Sequence, residues 1–117
     1  MNYLLVILEE RGQRQQRSPA EGQAAYDSML GFAEALQHEG KLRGVESLQS
    51  DDKGRRVQMR NGQPRFMDGP FTEAKEMVGG FFLVECESLD EAAALAGRCP
   101  AAAWATIEVR PVGPCWM

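Results

Sequence analysis

The sequence predicts an α+β fold, with two helices on one face of a mostly antiparallel sheet, and three observations carry that prediction. Two capping boxes open two helical segments, at Ser18-Pro19-Ala20-Glu21 and Ser88-Leu89-Asp90-Glu91. Strand-length apolar runs flank those helices, and an Asn61-Gly62 pair marks a hairpin between them. Taken in order the elements read β-α-β, a hairpin, then β-α-β.

Tyr3-Leu4-Leu5-Val6-Ile7-Leu8 is the first strand. No basic segment precedes it and Glu9-Glu10 closes it, so it is too short and wrongly flanked for a signal peptide or membrane span. The polar stretch Glu9 to Arg17 reads as the one loop long enough to be mobile. Serine at the cap, proline at the first helical position and Glu21 three residues on then start a helix over roughly Ala20 to Glu39. Its apolar positions are Ala25, Met29, Phe32 and Leu36, and Gly40 closes it.

A strand is expected from Leu42 to Leu48, followed by a hairpin in which Val57, Met59 and the Asn61-Gly62 turn lead back through Arg65 to Met67. Gly80 to Glu85 is a further strand. The alanine-rich second helix ends before Pro100, and Trp104 to Arg110 forms the last strand. This order is the split β-α-β, or ferredoxin-like, pattern with an inserted β-hairpin.

At 117 residues the chain is expected to form one domain, residues 1–117. Thirteen basic against seventeen acidic residues give a net charge of −4 with the cations scattered, which argues against nucleic acid as a partner. Cys86, Cys99 and Cys115 are odd in number and lack metal-ligand spacing. Neither a disulfide framework nor a zinc site is expected, and a cytoplasmic location fits. No nucleotide, flavin or metal motif is present, so no cofactor is expected.

Both apolar strands place large side chains on both faces, Tyr3, Leu5 and Ile7 against Leu4, Val6 and Leu8, while two helices cover one face only. An antiparallel sheet with one wet face alternates with polar residues. The bare face is therefore expected to meet a second copy, sheet against sheet, in a symmetric homodimer.

Asp68-Gly69-Pro70-Phe71-Thr72-Glu73-Ala74-Lys75-Glu76, followed by Gly79 to Val84, resembles the signature of the YCII-related, DGPF-type family. The two helix starts, Arg98-Cys99-Pro100 and Ile107 to Val112 extend the resemblance over most of the chain. It implies a dimeric α+β barrel, its facing sheets enclosing a cavity, and a function that is unassigned. In the wider group a histidine and an aspartate are proposed as a dyad. The matching positions here are Glu21 and Cys99, so that dyad is absent.

Two roles are open to Asp68: accepting backbone N–H bonds to hold a turn, or acting as an acid or base in a pocket. Lys75 either pairs with an anion beside it or sits on a solvated turn. Phe71 reads as a core plug. Glu46 and Tyr26 are pocket-lining candidates, and His38, the only histidine, either binds ligand or complements the end of the first helix. Cys99 becomes a reactive thiolate only beside a base or cation. Two functions compete: an acid/base enzyme acting on a small molecule near Asp68, or a non-catalytic ligand-binding or regulatory module. For the second, the resemblance implies association with an extracytoplasmic-function sigma factor.

Overall fold

The computed structural model describes residues 1–117. Its main sheet contains β1 (Asn2–Glu10), β2 (Leu42–Ser47), β5 (Glu76–Glu85) and β6 (Thr106–Pro111) in the order β2-β5-β1-β6. Every neighbouring pair is antiparallel. This is the ferredoxin-like arrangement, with α1 (Pro19–His38) and α2 (Leu89–Gly97) on one face. No helix is long and apolar enough to cross a membrane.

The helix ends follow the predicted chemistry. Ser18 Oγ accepts from the Glu21 amide while the Glu21 carboxylate accepts from the Ser18 amide, completing the box. Gly40 takes a φ of 71° just past the helix end. Ser88 Oγ caps α2 through the Glu91 amide.

One face of the sheet holds the core. Tyr3, Leu5 and Ile7 of β1 and Phe82 and Val84 of β5 pack under Phe32 and Leu36 of α1 and Ala92, Leu95 and Ala96 of α2. Small alanines let α2 lie close. Phe32 meets Phe82 edge to face at 5.1 Å. Leu4, Val6, Leu8, Phe81 and Leu83 occupy the opposite face, which no element of the chain covers.

Two expectations change. The segment after β1 is not loose: it forms a 3-10 turn at Arg14–Gln16 and is tied down by the Arg11 side chain on Asp51 and by Gln13 Nε2 donating to the Trp104 carbonyl at 2.7 Å. In addition β5 starts at Glu76, earlier than Gly80, because a register shift absorbs an extra glycine opposite Ile7 and Leu8.

The hairpin, β3 (Arg55–Arg60) and β4 (Gln63–Asp68), is a separate two-stranded sheet, and all twelve of its residues are exposed. Asn61 and Gly62 have φ values of 53° and 74°, the two left-handed residues a tight hairpin turn requires. It projects as an arm. The radius of gyration, 16.0 Å, exceeds the roughly 13 Å of a compact domain of this length.

Phe71, Asp51 and Gly69 hold the arm's base. Phe71 is buried and the Arg56 guanidinium stacks 3.9 Å from its ring centre. Asp51 accepts two bonds from Arg11, at 2.9 and 2.6 Å, and one from the Phe71 amide at 3.3 Å. Arg11 holds the Asp51 carboxyl below the usual aspartate range against the opposing effect of desolvation. Gly69 passes so close that a Cβ there would lie 1.8 Å from the Asp51 carbonyl oxygen, so only glycine fits.

Candidate functional site

A cleft of about 450 Å³ opens between the first half of α1 and the sheet. It exists because small residues face each other across the layer. Gly22, Ala25 and Ala33 lie on the helix side, Gly79 and Gly80 on the sheet side, and no large side chain fills the gap. Met29, Leu30, Phe82, Tyr26 and Trp104 supply apolar and aromatic walls.

Glu9 lies at the floor. It continues the inward phase of Tyr3, Leu5 and Ile7, so the strand alternation carries a carboxylate onto the helix-covered face, where the residue is only 7% exposed. Arg14 answers it with two parallel bonds, Nε to Oε2 at 2.9 Å and Nη2 to Oε1 at 2.7 Å. Gly79 is the third member. A Cβ there would lie 2.0 Å from Glu9 Oε1, so the bulge glycine is what lets the buried pair close.

Arg17 is different. Its guanidinium lies 5.3 Å from the centre of the Trp104 ring and forms no direct ion pair, although its charge helps hold the nearby Glu21 carboxyl down, so a cation with no bonded partner stands at the rim of an aromatic cleft. Tyr26 lines the same space and is half exposed, with its hydroxyl free of any partner in the chain.

The residues singled out from the sequence divide. Tyr26 and Glu46 border the cleft, although the strand register sets Glu46 beside Phe81 on the uncovered face. Asp68 lies outside the cleft, at the end of β4, largely exposed and paired with Arg55 at 2.5 Å. Lys75 is exposed and contributes only its carbonyl, which accepts from the Arg11 amide. His38 sits exposed in the last turn of α1, away from the cleft.

Cys99 is buried with its Sγ 3.8 Å from Met29 Sδ, and burial pushes its thiol up, the opposite of an activated nucleophile. Glu21 is occupied by its cap, and the bond from the Ser18 amide holds its carboxyl down. The sequence reading missed Glu9, Arg14, Arg17 and Trp104. Parity along β1 was the available signal for Glu9, since position 9 shares the phase of three buried residues. The other three gave none, because the fold rather than local spacing brings them together.

Comparison with known proteins agrees with this architecture. Among solved structures, 5-chloro-2-hydroxyhydroquinone dehydrochlorinase (TftG) from Burkholderia phenoliruptrix AC1100, in complex with 2,5-dihydroxybenzoquinone, superposes with a TM-score of 0.56 at 20% identity. The match covers 97% of this chain and 94% of that one, a likeness of fold. An uncharacterized protein of Rhizobium meliloti (strain 1021) is 43% identical over 53 residues, which span 45% of this chain and 43% of the relative. The YCII-related domain model matches residues 1–115, and the chain belongs to that family.

Proposed function

We propose that the protein is a small-molecule-binding domain, working as a homodimer, whose ligand occupies the cleft between α1 and the sheet. The ligand is a compact ring compound carrying an acidic oxygen. Arg17 against Trp104 carries this reading: an aromatic wall suits a flat ring, and a guanidinium whose N–H groups are bonded to no carboxylate can donate to an anion. The volume matches a small ligand rather than a peptide. Glu9 and Arg14 fix the floor and leave no free charge there.

The test is thermal unfolding with 2,5-dihydroxybenzoquinone and substituted benzoates as probes. A ligand at one hundred times its dissociation constant stabilises the native state by about 2.7 kcal/mol. We expect at least one of these anions to raise Tm in the wild type and Arg17→Ala to abolish the shift. Uncharged ring analogues that stabilise equally, or an Arg17→Ala variant that responds like the wild type, would remove Arg17 from the site.

A second reading, an acid/base enzyme, is favoured by one observation, the likeness of fold to a dehydrochlorinase. In that reading Tyr26 is the proton-transfer group at the ligand, with Glu9 and Arg14 positioning the cleft floor, and Asp68 has no part. Chloride release from a chlorinated hydroquinone, lost in Tyr26→Phe while binding persists, separates the enzyme from the binding module.

A further inference from the structure

The cleft is charged at one end only. Four charged residues line it, and three of them, Glu9, Arg14 and Arg17, belong to the end of β1 and the segment that leads into α1. The fourth, Glu46, lies opposite Phe81 in the strand register and so carries its carboxylate on the uncovered face of the sheet. Where the cleft borders β2, its lining therefore presents no charge.

That end is apolar and wet. Tyr26 and Leu30 stand one turn apart on α1, and Val45 and Leu48 come from β2 and the residue just beyond it. All four line the cleft, and they are 48%, 47%, 37% and 43% exposed. Val45 lies opposite Phe82 in the register, which sets it on the helix-covered face. Because β2 is the edge of the sheet, no further strand shields the group. A cluster of exposed apolar side chains at the mouth of a cleft is a binding surface.

The two ends are joined. Only β5 separates β1 from β2, so those strands lie about 10 Å apart, two strand spacings. Where β5 crosses that interval it supplies Gly79 and Gly80, and α1 supplies Gly22 and Ala25 on the other side of the gap. A bare ring acid beside Trp104 and Arg17 fills one end of this passage and leaves the other in water. The cleft volume of about 450 Å³ belongs with sites that take larger ligands.

We infer that the ligand is an aromatic acid bearing an apolar substituent opposite its acidic group. The acid sits at Arg17, the ring beside Trp104, and the substituent runs past Gly79 and Gly80 to end against Leu30, Val45 and Leu48. The inference rests on the ring-acid reading proposed above and specifies which ring acids the cleft selects. Charge and apolar burial act at separate ends. The guanidinium fixes the acid, while each methylene of the substituent leaves water for an apolar wall, a gain of about three- to fourfold in affinity. A second carboxylate at the same ring position meets no cation among the lining residues there and is selected against.

Isothermal titration calorimetry with benzoate and its para-methyl, para-ethyl, para-propyl and para-butyl derivatives tests this. Affinity should rise about three- to fourfold with each added carbon, and terephthalate should bind more weakly than benzoate. Arg17→Ala should weaken every member of the series by a similar factor and keep the dependence on chain length. Leu30→Gln combined with Val45→Thr, both at exposed positions where a polar side chain is tolerated, should flatten that dependence.

Affinity that stays level along the series, or terephthalate binding more tightly than benzoate, overturns the apolar substituent and leaves the ring-acid reading standing. A rise that persists unchanged in the double variant overturns its placement at the β2 edge. No binding by any member of the series overturns both the substituent and the ring-acid reading.

Discussion

The helix-covered half of the sheet and the projecting arm are both built from alternating apolar residues, yet they end in opposite states. On β1 the alternation delivers Tyr3, Leu5 and Ile7 into a core closed by α1 and α2. On the arm the same alternation aligns Val57, Met59 and Phe66, which stay mostly exposed, with only the Arg55 guanidinium 5.6 Å from the Phe66 ring centre. A period of two fixes which residues share a face. It does not say what the face will meet, because the cover comes from distant elements or from another molecule. The body of the protein is thus stabilised within the chain, and the arm leaves its side chains exposed.

The sharpest way to break this contrast is to truncate one large side chain in each region. Leu36 is fully buried, so Leu36→Ala should cost about 2–5 kcal/mol in urea unfolding, through lost transfer energy and the cavity left behind. Phe66→Ala, studied where the chain is monomeric, should fall within about 0.5 kcal/mol of the wild type, as for other exposed positions. Equal costs would mean that the arm is buried within its own chain.

A smaller effect lies at the junction between the regions. Gly69→Ala places a methyl against the Asp51 carbonyl oxygen, which is backbone and cannot swing aside. It should cost about 1–3 kcal/mol, as other overpacked sites do, and loosen the arm's base. Gly79→Ala meets the Glu9 side chain instead, which can move, and should cost less while opening the Glu9–Arg14 pair. Amide exchange at Phe71 reports the first change and Arg14 side-chain signals the second.

The smallest effect distinguishes two arginine–carboxylate pairs that look alike on paper. Asp51 is largely covered and also binds the Phe71 amide, whereas Asp68 and Arg55 form an exposed pair of the kind that contributes little. Asp51→Asn should therefore lower Tm visibly and Asp68→Asn barely. The depressed Asp51 carboxyl sets the sign with pH. Its contribution is complete above the unfolded-state value of about 3.9 and is lost as pH falls through the lower folded value. Acid titration should release the arm's base in the wild type and leave Asp51→Asn without that phase. A variant that titrates like the wild type would exclude Asp51 as the anchor.

Most of the fold was legible because its signals are local. Capping boxes, Pro19, Gly40, Pro100 and Asn61-Gly62 each act within a few residues, and the structure places a helix end or a turn at each. The site was not legible in the same way. Its walls combine Gly22 and Tyr26 from α1, Gly79 from a bulge and Trp104 after α2, so no window of sequence contains it. In the prominent Asp68-Gly69-Pro70-Phe71 string the glycine and phenylalanine anchor the arm, and the aspartate lies largely exposed beside Arg55. The partner that makes the string intelligible is Asp51, seventeen positions away from it and unremarkable in sequence.

The shape of the molecule carries a consequence for how it moves. With principal extents of 47 × 42 × 19 Å, the chain is a thin plate with a protruding arm. It drags more solvent than a sphere of equal mass, and it tumbles faster about some axes than others. A homodimer stacked sheet against sheet doubles the mass while thickening the plate, so its frictional ratio should fall rather than rise. Association would then change rotational anisotropy in a direction opposite to that of two plates joined end to end.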